Sequence, residues 1–388
     1  MLTIFGTHDE GTLQQIRTCL DAGGSHAVLC ADGHKGYAQP IGGVVAYRDH
    51  ISISGVGFDI GCGNLALMTD ADPDDVQKNI ARIMQDVVSQ ISFGVGRVND
   101  TPTDHHLFAL DLWNREPWKS WRKLAQDQLG TVGSGNHFCD IFIDENRKVW
   151  VGVHFGSRGL GHKTATHFLK AAGGKDGMDV APCTVGEHTE LGQDYLAGMM
   201  LAGEYAYAGR EYVARLVAQK ILGATILTEI HNHHNYAWKE RHLDEDYWVV
   251  RKGATPAFPE QLSFVGGSMG DDAVIIRGVD SDKSRDALYS TVHGAGRIMS
   301  RTAAKGKFTK VDGKKIRGVG LVRHDDMQKW LHDKAVHVVG GDVDEAPQAY
   351  RRLPEVLAAH QGTIGVVHTL RPIGVAMAGA GTVDPYKD

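Results

Sequence analysis

The chain has 388 residues, 42% hydrophobic and 23% charged, with 11 prolines. That length and apolar content can bury a large core and exclude a low-complexity chain; length alone would allow two or three domains. The formal net charge of −6 gives no general attraction for phosphate backbones, so any nucleic-acid contact has to come from a local basic groove.

The 48 glycines gather in short motifs rather than in linkers, which favours tight turns and close backbone approach to ligands. Five cysteines, Cys19, Cys30, Cys62, Cys139 and Cys183, form no paired framework and no CxxC. The opening string MLTIFGTHDEGT is not a basic region followed by an apolar run, and no uncharged apolar stretch approaches about 18 residues. A cytoplasmic protein without a membrane span is the expectation.

Along the chain, HAVLC, VVAY and ISISGVG between residues 26 and 57 read as buried strands, with glycine turns such as ADGHKGYAQPIGG between them. Residues 72–91 read as helix: Val76, Ile80, Ile83 and Met84 recur at three- and four-residue spacings after an Asp-Pro-Asp-Asp start. The blocks WVGVHF, YWVVRK and AVIIRG read as strands. A second helix is expected over 193–222, with Tyr212, Val213, Leu216, Val217 and Ile221 on one face and Gly223 to stop it. A third is expected over 347–360. There is no internal repeat and no Pro/Ser-rich linker. The glycine-rich motifs scatter from residue 32 to residue 379, so one site built from them requires a single large mixed α/β domain.

Ligand-type residues sit in four glycine-rich, apolar settings. They are Asp59 and Cys62 in GVGFDIGCGN, His137 in GSGNHF, His154 in VHFGSRGLGH, and His231, His233 and His234 in HNHHNYAW. A thiolate, imidazoles and a carboxylate together suit a transition metal. Asp59 and Cys62 are three apart, a spacing that a tight turn can aim at one point. A lone cysteine is more often a small core residue, and His162 and His167 are read as structural. Spacing alone does not bring the four places together.

The strings DGHKGYAQPIGG, GVGFDIGCG, GSGNHF, GSRGLGH, HHNY, RKGATPA, GSMG, STVHGAGR and DEAPQAY, in this order, resemble the signature series of the RtcB family of RNA ligases. That family joins RNA ends bearing 3′-phosphate or 2′,3′-cyclic phosphate to 5′-hydroxyl ends. The match runs from Asp32 to Gly379.

The resemblance implies a mixed α/β (α+β) fold over residues 1–388, with packed β-sheets flanked by helices. It implies two Mn²⁺ ions: Cys62 bridging them, His154 and His234 on one, Asp59 and His137 on the other. His234 is preferred to its two neighbours because it directly precedes Asn235. His293 matches the histidine guanylylated by GTP, with Asp32 orienting its ring. Asn136, Asn235 and the turn Gly267, Ser268, Met269, Gly270 match nucleotide contacts, and Tyr350 matches the aromatic facing guanine. Gly294, Ala295 and Gly296 let backbone N–H groups approach phosphate, and Arg297 adds a planar fork of donors. Arg158, Lys252 and Arg301 are further candidates for gripping phosphates. The partners implied are RNA and GTP, with a helper protein possible in tRNA splicing or RNA repair.

Two positions depart from the family pattern. Met377 stands where a lysine touches the nucleotide, with the substitution of Lys387 in the tail for it left open, and Gly209-Arg210 replaces an Asn-Arg pair. Met377 motivates a second reading, a metallophosphoesterase that opens cyclic phosphates without joining ends. A catalytically silent RNA- or partner-binding relative is a third.

Overall fold

The computed structural model describes residues 1–311 and 314–379, so Lys387 lies outside the described residues. Two sheets dominate. The first has five strands in the order Leu2–Ile4, Gly24–His34, Ile41–Tyr47, Glu245–Lys252, Asn235–His242. Only its first pair is parallel.

The second runs Leu262–Val265, Ala273–Gly278, Ile364–Met377, Phe138–Asp144, Val149–Phe155, Gly63–Thr69, Ile226–His233, all antiparallel. His337–Val339 adds an eighth, parallel strand on Ile364–Met377. Sheets with helices packed against them make the mixed α/β class that the sequence implied.

One core lies under the five-stranded sheet, where Leu29, Val45 and Tyr47 join Trp113, Trp118, Tyr195 and Tyr205. Another lies under the larger sheet, where Val151 and Val153 meet Ile83, Met84 and Val87 of the helix Ile80–Gln90 and Val213 and Val217 of the longest helix. Among the described residues, no helix is long and apolar enough to cross a membrane.

Four expected elements differ in detail. ISISGVG, expected as a strand, is extended only to Ser52; Ile53–Val56 is a short helix, because the Ser52 side chain caps it by accepting from Gly55 N at 2.9 Å. The helix over 72–91 is two helices, Pro73–Lys78 and Ile80–Gln90, broken at Asn79. The helix expected over 193–222 starts earlier, as Glu190–Arg215, because Thr189 caps it by accepting from Gly192 N at 3.1 Å. Its last turn, Leu216–Ile221, widens to π geometry, and Tyr212 on the expected apolar face is 43% exposed.

The helix over 347–360 is interrupted. Pro347–Ala349 is one 3₁₀ turn, residues 350–352 are extended, and only Leu353–Ala359 is α-helical. The extended piece pairs instead with the HGAGR segment: Arg351 N donates to Gly296 O at 2.9 Å, and Arg297 and Tyr350 form an antiparallel bridge.

Candidate metal centre and nucleotide cavity

Strand register explains how four distant motifs meet. Phe138 faces His154, Gly63 faces Phe155, and Gly63 also faces His233. Residues at or next to these pairs (Cys62, His137, His154, His234) therefore share one end of four neighbouring strands. Asp59 joins through a turn in which Cys62 N donates to Asp59 O at 3.0 Å, with Gly61 at φ +71°. Gly156 has no side chain for good reason: a Cβ there would lie 2.2 Å from Asp59 Oδ1.

Cys62 Sγ stands 3.3 Å from His154 Nε2 and 3.6 Å from His137 Nε2. His154 Nε2 is 3.2 Å from His234 Nε2, and His137 Nε2 is 3.1 Å from Asp59 Oδ2. Two ligands each about 2.1 Å from one tetrahedral ion stand about 3.4 Å apart, so these spacings fit shared cations. The donors form two triads, Cys62–His154–His234 and Asp59–Cys62–His137, with the sulfur common to both.

Protonation fits too. His154 Nδ1 donates to Asn136 O at 2.9 Å, which leaves the lone pair on Nε2, facing the cluster. Burial, then the charge of His137, pushes His154 down to about 3, and burial holds His234 well below the ordinary histidine value. Both imidazoles are neutral, the ligating form. Burial works against the Asp59 charge, but the hydrogen bond and charge of His137 hold its carboxyl down to about 2. Burial and the Asp59 charge push the Cys62 thiol up; a divalent cation reverses that preference and takes the thiolate.

His231 and His233 turn the other way. Arg210, fully buried, donates from Nε to His231 Nε2 at 2.9 Å and holds Gly61 O at 2.8 Å, with Nη2 3.0 Å from His233 Nδ1. Two further acid–histidine groups, Asp144–Glu145–His368 and Asp49–Glu187–His188, lie elsewhere. Asp144 is satisfied by Asn146 N, Lys148 N and Trp150 Nε1, and Glu187 pairs with Lys239.

His293 follows the strand Ser290–Val292, and its ring centroid is 4.9 Å from that of His234. Its Nδ1 lies 2.6 Å from Oδ2 of Asp32, a residue with no solvent exposure that also accepts the His293 backbone N–H at 3.0 Å. Burial alone would raise the Asp32 pKa, but the charge and hydrogen bonds of His293 outweigh it and hold the group below its ordinary value. The ring's Nδ1–H donates to the ionised Asp32, which leaves Nε2 as the other ring nitrogen.

A cavity of about 620 Å³ opens over this row. Asn136, Asn235, Gly267, Ser268, Met269, Gly294, Ala295, Gly296, Arg297 and Tyr350 all line it; Gly270 does not, and Asp32 stands behind His293. Arg297 Nη1 donates to Tyr350 OH at 3.0 Å, and its guanidinium sits 4.9 Å over that ring. Arg158, Lys252 and Arg301 are on the wall as well. Carboxylates share that wall (Asp59, Asp140, Asp176, Asp271 and Glu345), and Arg301 pairs with Glu345 and Asp344, so the cavity is mixed in charge rather than uniformly basic. Arg158 takes a left-handed φ of 54°, a strained conformation for a non-glycine residue, with Nη2 donating to Gly94 O at 2.9 Å. His162, read from sequence as structural, also lines the cavity, stacked on Phe58; His167 packs edge-on against Trp121, away from it.

The family model described as tRNA-splicing ligase RtcB matches residues 15–118 and 113–378. The RNA-splicing ligase RtcB of Escherichia coli (strain K12) is 32% identical over 379 residues, covering 90% of this chain and 89% of that protein. This chain belongs to the RtcB family. The tRNA-splicing ligases RtcB of Archaeoglobus fulgidus and Thermococcus kodakarensis are 31% and 29% identical, each over 90% of this chain and 87% of theirs.

Of the two departures from the RtcB pattern, only Met377 faces the cavity. It packs with Met269 and Val375 as an apolar patch of the wall. Gly209 is not on the wall; a Cβ there would meet the Phe155 ring at 3.2 Å. Arg210 is no lost contact, since it braces the loop that carries Cys62 from behind.

Sequence reasoning passed over Asp140 and Glu345. Asp140 is buried on the cavity wall, one carboxylate oxygen has no hydrogen-bond partner, and burial pushes its pKa well up. Its signal was alternation: it shares a strand face with Phe138. Glu345, in the DEAPQAY string, accepts from Tyr350 OH and pairs with Arg301.

Proposed function

We propose that this chain is a cytoplasmic, GTP-dependent RNA ligase that joins 3′-phosphate or 2′,3′-cyclic phosphate ends to 5′-hydroxyl ends, in tRNA splicing or RNA repair. The observation that carries the reading is the Asp32–His293 pair beside the Cys62-centred donor row, 2.6 Å between carboxylate and ring. Asp59, Cys62, His137, His154 and His234 would hold two Mn²⁺ ions. Bound there, such cations neutralise phosphate charge and favour departure of the leaving group.

The protein's own groups do the rest. Asp32 fixes the tautomer of His293, so that Nε2 presents its lone pair to the α-phosphorus of GTP. A P–N bond forms, the Pα–O bond to the β-phosphate breaks, and pyrophosphate leaves. An oxygen of the RNA 3′-phosphate then takes the GMP from His293, and the 5′-hydroxyl displaces it. A cyclic end is first opened by water. Arg297 and the N–H groups around Gly294–Ala295–Gly296, which line the cavity, would bind phosphate oxygens, and Tyr350 would face the base. Domain unity over 1–388 and a helper protein belong to this proposal as well.

The test is covalent labelling with α-phosphate-labelled GTP and Mn²⁺. Label should survive denaturation and vanish in His293→Ala. A metal-loaded protein that never takes label would end this reading. Met377, which offers no charge to a nucleotide, favours the phosphoesterase alternative. Opened ends without joined product, indifferent to His293→Ala, would establish that one.

A further inference from the structure

The contacts run as a chain of neighbours. From the His293 ring the row passes to His234 at 4.9 Å, His154, Cys62, His137 and Asp59. Past Asp59 comes its chain neighbour Phe58, whose ring stacks on His162 at 5.2 Å with 28° between planes. Both rings are half-buried and line the same cavity as the nucleophile, at the opposite end of the donor row. His162 lies one turn beyond Arg158 on the helix Arg158–Ala171, so the two share a face, and Lys163 is beside them on the cavity wall.

Resting on the ligase reading above, we infer that the Phe58–His162 pair is a stacking platform for the terminal base of the 5′-hydroxyl strand, with Arg158 and Lys163 meeting its first phosphates. The chemistry fixes which strand. In the joining step the 5′ oxygen bonds to the 3′ phosphorus, the bond from that phosphorus to GMP breaks, GMP leaves with the electron pair, and the hydroxyl proton passes to solvent. Entering and leaving oxygens lie in line across the phosphorus. With the nucleotide at the His293 end, the entering strand comes from the far end, where the platform stands. Unpaired RNA ends expose base faces, and aromatic rings with flanking cations recognise these without reading sequence.

The experiment uses full-length protein with Mn²⁺, GTP and an RNA carrying a 3′-phosphate, while the concentration of a 5′-hydroxyl strand is varied. His162→Ala should raise the KM for that strand about tenfold, the effect of one lost base stack, and His162→Phe should restore it. A strand with an abasic 5′ nucleotide should cost the parent protein the same factor and cost His162→Ala nothing more. An unchanged KM in His162→Ala, an equal abasic penalty in both proteins, or an effect on the 3′-phosphate strand instead would overturn the assignment. Label on His293 is scored in parallel: its absence from the parent protein would bring down the ligase reading and this inference together, whereas normal label with unaltered joining would remove the platform alone.

Discussion

Asp32 has no solvent contact, and one of its oxygens serves both the ring and the backbone N–H of His293. An amide there keeps the shape but loses the charge, and it no longer selects the reactive tautomer. Asp32→Asn should therefore slow self-guanylylation by about 10³-fold, on the scale of other carboxylate–histidine pairs, with bound metal unchanged. Rapid-quench labelling measures this, and a near-parent rate would remove Asp32 from the role. Gly156 tests the other end of the row. Gly156→Ala places a methyl 2.2 Å from Asp59 Oδ1, so Asp59 must swing away. Metal content by elemental analysis should fall from about two ions to about one per chain. At this scale much was legible. Asp59, Cys62, His137, His154 and His293 all sit in glycine-bracketed strings, because close approach to a ligand needs small neighbours. Phe58 was not legible, and for Asp140 alternation gave only its strand face, since one carboxylate or one ring in a strand or loop looks like any other until its neighbours are known.

The joint between the longest helix and the Asp59–Cys62 loop shows what an element adds. Arg210 on Glu190–Arg215 reaches the carbonyl oxygen of Gly61 at 2.8 Å and that of Phe155 at 2.5 Å, the residues just before Cys62 and just after His154. Arg210→Met keeps the bulk but takes the guanidinium donors from Phe155 O and His231 Nε2, while Gly61 O keeps only its contact with His233 Nδ1 at 2.9 Å. It should cost about 3–5 kcal/mol of stability, read by denaturant titration, and weaken metal retention during dialysis. Stability within about 1 kcal/mol of the parent would mean that water replaces the guanidinium. Helix periodicity located this element, but it missed the Thr189 cap, whose first turn carries no apolar stripe. The helix expected over 347–360 failed for a different reason. Its middle is claimed by pairing with residues 296–298, a partner about fifty positions away in the chain that no local pattern announces.

For the molecule as a whole, mixed α/β architecture was readable from alternating strand and helix signals, whereas strand order was not, since register between distant segments leaves no trace in either one. Acid stability is another collective property. Glu240, nearly buried, pairs with Arg251 at 2.6 Å and His242 at 2.8 Å. Burial alone would raise its pKa, but the Arg251 charge and the His242 hydrogen bond hold it below the ordinary value. A depressed folded-state pKa gives stability that is present above the unfolded value, about 4.3, and is lost as pH falls through the folded one. Glu240→Gln should flatten the fall in unfolding free energy below about pH 4.3, and an unchanged slope would assign the acid limb to other carboxylates.

His234 is the single residue between the end of one sheet, at His233, and the start of the other, at Asn235. A cation gripping its ring is thus a rivet through both halves, and Asp32 and His293, 261 positions apart, close over it. Metal uptake then reports on the finished architecture: a partly docked chain offers at most scattered ligands, and chelation should loosen the seam between the sheets before either sheet melts.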